Sequence, residues 1–225
     1  MAAAQTIRAF FALELGDGAR RRAVALADAV RAAVGEEDLR WVREESLHVT
    51  LRFLGQTDVA RLGDLVREVG AATRGVERFA LRLGAVGAFP SPRRPRVVAV
   101  GLEPVAPLAA LAAALERGVV AAGLPADPRP FRPHLTLARV RRGRRPRLPE
   151  PESLDAVTAS VTAPGEAWEV VETVLFRSDL TPGGARYSPL ERIPIGAGGP
   201  PGSSAPAFTP ETRTRSHASR KRKET

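Results

Sequence analysis

His48-Val49-Thr50-Leu51 and His134-Leu135-Thr136-Leu137 are one phrase written twice. Each sets a histidine, an aliphatic residue, a threonine and a leucine in an alternating apolar run, which is the pattern of a half-buried β-strand. Threonine fills 13 of the 225 positions. Two histidines would each meet one two residues on by chance roughly once in 300 trials. The repeat predicts two strands that present the same pair of side chains.

Along Leu47 to Phe53, strict alternation sends His48, Thr50 and Arg52 to one face and Leu47, Val49, Leu51 and Phe53 to the other. Neighbours on one face lie roughly 6.5–7 Å apart, so an imidazole reaches one reacting oxygen of a phosphate while the hydroxyl holds another. An unperturbed imidazole, with a pKa of about 6.5, can give or take a proton near neutrality. In-line displacement at phosphorus needs a base on one side and an acid on the other. Two strands facing each other supply both. Two histidines are only half of a tetrahedral zinc set, the chain has no cysteine, and neither phrase contains a carboxylate. No metal and no other cofactor is expected.

Outward from the phrases, helix and strand alternate twice. Thr6–Leu15 reads as a strand, with Asp17 as N-cap of an alanine-rich helix to about Val34. The first motif strand runs to Leu54, Gly55 ends it, and Asp58 caps a helix to about Thr73. Phe79–Val86 and Arg96–Leu102 read as strands around Phe89-Pro90-Ser91-Pro92-Arg93-Arg94-Pro95, whose prolines exclude regular structure. The second cycle has a helix from Pro107 to about Ala122, a proline-rich loop, the motif strand His134–Val140 and a basic loop, Arg141 to Pro151. It closes with a short helix near Glu152–Ala159 and two strands, Glu169–Phe176 and Ala185–Ile195. The fold class expected is α+β. Two pseudo-symmetric lobes, each an antiparallel sheet with packed helices, would face across a central cleft. Residues 1–195 form this domain, and 196–225 are expected to be a disordered basic tail.

The net charge is +9, which suits a polyanionic partner such as RNA. Arginine supplies it almost alone, since Lys221 and Lys223 are the only lysines, a skew that a GC-rich coding sequence would also produce. Six basic residues against two acidic ones give the tail +4, so the body keeps +5. Arg93 and Arg94 in the proline-rich loop, and Arg141 and Arg142 with Arg144, Arg145 and Arg147 after the second motif, are either guides for an RNA strand or solvated loops. Tyr187 is a candidate stacking residue and Arg52 a candidate RNA contact. No apolar run is long enough to cross a bilayer and nothing at the start resembles an export signal, so a soluble, cytoplasmic, monomeric protein is expected.

The two phrases are similar to the HXTX motifs of the two-histidine phosphoesterase superfamily. Within it the chain resembles the RNA 2′,3′-cyclic phosphodiesterases, also called 2′-5′ RNA ligase-like proteins. The resemblance runs from Ile7 to Pro194. Its carriers are Arg8-Ala9-Phe10-Phe11-Ala12-Leu13, Leu47 to Gly55, Gly87-Ala88-Phe89-Pro90, Phe131 to Val140, Phe176-Arg177-Ser178 and Gly183 to Tyr187. It implies His48 as proton donor, His134 as proton acceptor, and Thr50, Thr136 and Arg139 as phosphate ligands. The implied substrate is RNA ending in a 2′,3′-cyclic phosphate. The implied product is a 2′-phosphomonoester, and reversal would join RNA ends through a 2′-5′ bond. Strict alternation puts Arg139 opposite His134, so either the strand bulges or the side chain reaches around its edge. Two other functions fit the same residues: a phosphodiesterase for small cyclic nucleotides or 2′-5′-linked oligonucleotides, and an RNA-binding module without turnover.

Overall fold

The computed structural model describes residues 5–146, 148–149, 151–161, 167–181 and 184–196. Arg147, Pro182, Gly183 and the residues beyond Gly196, His217 included, lie outside them. Among the described residues, nine strands and four helices follow in the order β1 (Thr6–Glu14), α1 (Asp17–Val34), β2 (Leu39–Trp41), β3 (His48–Asp58), α2 (Leu62–Thr73), β4 (Phe79–Phe89), β5 (Val97–Glu103), α3 (Val105–Ala121), β6 (Leu135–Val140), α4 (Pro151–Val161), β7 (Trp168–Val170), β8 (Glu172–Thr181) and β9 (Gly184–Pro194).

The strands form two antiparallel sheets, one in the order β3-β1-β8-β9 and one in the order β2-β6-β5-β4-β7. The α+β class with two lobes is therefore the observed one. The helices cross between lobes. α1 follows a strand of the first sheet but packs against β4, β6 and α4 of the second. α3 follows a strand of the second sheet but packs against β3 and α2 on the first. Each lobe thus draws on both halves of the chain, and one apolar core runs through both.

The local reasons are ordinary. α1 buries Ala19, Ala23, Leu26, Ala27 and Val30, a single stripe at helical spacing. α3 buries Leu108, Leu111, Ala112, Ala114, Leu115, Gly118 and Val119, a broader face because it is covered by both β3 and α2. On β1 the alternation splits two clusters: Ile7, Ala9, Phe11 and Leu13 enter the main core, while Phe10 and Ala12 join Val174 and Phe176 on the other face.

Some expected boundaries shift. The N-cap of α1 is Gly16, with Asp17 in the first turn. A Cβ at residue 16 would stand 2.9 Å from the Trp168 Cβ, so packing takes precedence over capping there. Gly55 does not end β3. At φ 74° beside a register shift, it lets the strand continue to Asp58. Asp58 caps a 3-10 turn over Val59–Arg61, accepting from the Ala60 N–H at 3.0 Å, and α2 begins behind that turn. β4 runs on through Phe89, whose carbonyl accepts from the Arg96 N–H and closes the proline-rich loop. The strand expected at Glu169–Phe176 is two strands that break at Val171, with β7 in one sheet and β8 in the other. A continuous apolar run does not reveal where a chain changes sheets.

Candidate active site

The motif strands β3 and β6 approach each other where the two lobes meet. Each has an irregularity at the same place in the phrase, β3 having a second one beside Gly55. On β3, Thr50 pairs with Ala12 and Arg52 with Phe11, so Leu51 is the extra residue of a bulge. On β6, Thr136 pairs with Ala99 and Ala138 with Val98, so Leu137 is the extra residue. A bulge inserts one position into the two-residue period and exchanges the faces beyond it. The side chains brought to one face are then the first, third and sixth of each phrase: His48, Thr50 and Phe53 on β3, and His134, Thr136 and Arg139 on β6.

This decides the position of Arg139 in favour of the bulge. Its charge reaches His48 across the cleft. It also corrects the expected face of Arg52 and Phe53. The Phe53 ring lies 5.8 Å from Phe10, on the histidine face, and is 48% exposed. Arg52 turns the other way. Its Nε donates to Glu116 Oε2 at 2.5 Å and its NH2 to the Pro125 carbonyl at 2.6 Å, with Asp127 Oδ2 3.6 Å from NH1. Asp127 is held down to about 2 by hydrogen bonds from the side chain and backbone of Arg129, so it stays ionised.

The two imidazoles are held alike. His48 Nδ1 lies 2.8 Å from the Ser46 carbonyl, and His134 Nδ1 lies 2.8 Å from the Arg132 carbonyl. A carbonyl only accepts, so each Nδ1 carries the hydrogen and each Nε2 is the nitrogen free to exchange protons. His48 Nε2 is 3.0 Å from Thr50 Oγ1, whose hydroxyl donates to it. The His48 ring is enclosed by Phe10 at 4.9 Å and by Tyr187 edge-on at 4.9 Å, while Phe89 stands 5.5 Å from His134.

Burial lowers the His48 pKa to about 4, opposed by the hydrogen bond to the Ser46 carbonyl and aided by the positive charge of Arg139. The cleft therefore holds a neutral imidazole facing the Arg139 guanidinium, a field that an anion would neutralise.

The other arginines fall into different places. Arg93 and Arg94 are exposed on the loop after Phe89, which puts them on the His134 side. Arg141 donates to the Leu39 carbonyl at 3.2 Å and Arg144 pairs with Asp38 at 3.5 Å, so both are tied to the β2 edge. Arg142 is exposed on the same loop. Sequence reasoning missed a groove of about 540 Å³ running from Thr50 and His134, walled by α3, Phe53 and the Asp127–Arg132 segment. A proline-rich loop with arginines at 129 and 132 and a phenylalanine at 131 was its only signal. Among the described residues no three of His, Cys, Asp and Glu are grouped to hold a metal ion. No described helix is long and apolar enough to cross a membrane.

A family model described as LigT like phosphoesterase matches residues 13–99 and again 100–187, one match for each motif. The chain is similar to an RNA 2′,3′-cyclic phosphodiesterase of Methanothermobacter thermautotrophicus, 33% identical over 186 residues that cover 82% of this chain and 97% of the relative. An RNA 2′,3′-cyclic phosphodiesterase of Thermus thermophilus is 33% identical over 204 residues, covering 84% and 96%. Among solved structures, TT0787 of Thermus thermophilus superposes with a TM-score of 0.68 at 32% identity, covering 84% of this chain and 98% of that one. Escherichia coli LigT complexed with 3′-AMP gives 0.65 at 28% identity, covering 85% and 99%.

Proposed function

This chain belongs to the LigT-like phosphoesterase family, and we propose that it hydrolyses RNA 2′,3′-cyclic phosphate ends to 2′-phosphomonoesters. The observation that carries the reading is the matched pair of bulged strands, which turns two imidazoles, two hydroxyls and one guanidinium toward a single cleft. Relatives of 33% identity over most of their length bear the name of that activity.

In this mechanism Thr50, Thr136 and Arg139 hold the non-bridging phosphate oxygens. Water enters on the His134 side, and His134 Nε2 takes its proton as the oxygen attacks phosphorus. The P–O3′ bond breaks, and His48 Nε2 gives a proton to the departing 3′ oxygen. The product carries its phosphate on O2′ and a free 3′-hydroxyl. His48 must be protonated for that step, although the free protein keeps it neutral. The substrate phosphate supplies the negative charge that offsets Arg139 and raises the His48 pKa on binding. It also competes for the Thr50 hydroxyl, which frees Nε2.

The two proton transfers need no metal. One chain supplies both motifs, so the unit of activity is a monomer, formed by residues 1–195 and working in the cytoplasm. Thr136 and Tyr187 complete the pocket around the scissile phosphate, and the exposed Arg93, Arg94 and Arg142 supply a general attraction for RNA. The test is incubation of the protein, in chelator, with an RNA oligomer ending in a 2′,3′-cyclic phosphate. A 2′-phosphomonoester is expected. A 3′-phosphate product, or no turnover, would overturn the reading.

A further inference from the structure

Residues 124–134, between α3 and β6, belong to no helix or strand. The carbonyl that orients the His134 ring lies in this stretch, at Arg132. Its position must therefore be set by something other than a helix or a sheet ladder.

Arg52 supplies the tie. Its side chain is 11% exposed, and all three guanidinium nitrogens donate inside the protein: Nε to Glu116 Oε2, NH1 to the Phe53 carbonyl and NH2 to the Pro125 carbonyl. The other carboxylate oxygen of Glu116 accepts from the Asp127 N–H at 2.8 Å. One guanidinium on β3 and one carboxylate on α3 thereby grip the loop at residues 125 and 127. Asp127 Oδ1 accepts from the Arg129 N–H at 3.0 Å, which carries the tie on to residue 129. Beyond it, the rings of Pro130 and Pro133 fix φ on either side of Phe131 and Arg132, so the chain has little slack before His134. Arg52 stands two residues after Thr50, on the strand that carries His48. The network thus joins the strand of the proton donor to the loop of the proton acceptor.

We infer that Arg52, acting with Glu116, is a positioning residue for His134: it fixes the loop whose Arg132 carbonyl keeps the hydrogen on His134 Nδ1 and the lone pair on Nε2. The inference rests on the assignment of His134 as acceptor. An imidazole released from that carbonyl carries its hydrogen mainly on Nε2, and a nitrogen that already bears a hydrogen cannot take one from water. Arg52 itself touches no reacting atom. Its effect passes through the backbone of the loop, so its loss acts on the proton-transfer step and leaves Thr50, Thr136 and Arg139 in place.

The test compares Arg52→Ala and Glu116→Gln with the parent. Glutamine keeps the volume of Glu116 but offers one acceptor oxygen to two donors. Nitrogen-15 spectra of the imidazoles at about pH 8.5, above the ordinary histidine range, read which ring nitrogen bears the hydrogen. In the parent, His48 and His134 are both expected as Nδ1–H. In each variant His134 is expected to shift toward Nε2–H, while His48, held by the Ser46 carbonyl outside the network, keeps its pattern. With an RNA oligomer ending in a 2′,3′-cyclic phosphate, Arg52→Ala is expected to lower kcat at least tenfold and to leave KM within threefold. The inference is overturned if His134 keeps Nδ1–H in the variants, or if both rings change together, the mark of general loosening. It is also overturned if KM rises while kcat holds, the mark of a residue that binds RNA. Should Arg52→Ala not fold, Glu116→Gln carries the same readings. A parent without turnover would sink the hydrolytic reading alone, since the spectra decide the positioning without it.

Discussion

Leu51 and Leu137 are the same residue of the same bulge, one on each motif strand, and both are buried. Each adds one position to a two-residue period. That single addition brings Arg139 round to the face of His134 and Thr136, and sends Arg52 away from His48 into an ion pair with Glu116.

Arg139 is the group whose position depends most on that bulge. Arg139→Ala should raise KM for an RNA cyclic phosphate about 10- to 100-fold, the worth of a charge-assisted contact of about 1.5–3 kcal/mol. Its side chain is exposed, so the melting temperature should stay near the parent's. Steady-state kinetics with thermal melts checks both. Unchanged KM would remove Arg139 from the phosphate site.

His48→Ala and His134→Ala should each lower kcat by about 10²–10⁴, the usual contribution of one proton-transferring group. The double variant should fall much less than the product of the two, because acid and base act in one step. Binding of a short RNA, measured at fixed salt, should persist in all three. A single variant with near-parental turnover would mean that its imidazole carries no proton in the reaction.

The His48 ring should titrate far below an exposed histidine in the free protein, near 4 against 6.5. Imidazole NMR resonances followed against pH should show this value rising when a 2′-nucleotide is added, and rising in Arg139→Ala without ligand. No movement with either would contradict the proposed neutralisation by bound phosphate.

The same depression links stability to pH. The unfolded chain binds the proton more tightly, so the contribution is full above pH 6.5 and is lost as pH falls toward 4. A 2.5-unit depression corresponds to about 3 kcal/mol. Urea melts at pH 7 and pH 4.5 should show a larger drop for the parent than for His48→Gln. Equal drops would indicate that other groups govern the acid limb.

Gly118 on α3 meets α2 backbone to backbone: a Cβ there would stand 2.6 Å from the Val69 Cα and 2.8 Å from the Glu68 carbonyl oxygen. Gly118→Ala must push the two helices apart and should cost about 1–3 kcal/mol despite its higher helix propensity. Thermal or denaturant melts decide it. A stabilised variant would show that the helices do not pack that closely.

Much of this was legible in the chain. Apolar spacing placed α1 and α3 to within a few residues, because a one-sided helix has only one way to bury its stripe. The repeated phrase identified both histidines, because a strand turns first and third residues to one face whatever surrounds them. Not legible were features that depend on a neighbour. Gly16 caps α1 because Trp168 fills the space behind it, and Val171 separates two strands because β7 and β8 pair with different sheets.

By itself the sequence determined that two His-x-Thr strands exist and that their imidazoles share a face with their hydroxyls, since both follow from local backbone geometry. Only the tertiary structure decided which arginine joins them. A bulge is a mismatch between two paired strands, visible at Leu51 against β1 and at Leu137 against β5 and in neither strand alone. The crossing of α1 and α3 between lobes likewise depends on which apolar face each helix finds, a choice made among elements far apart in the chain.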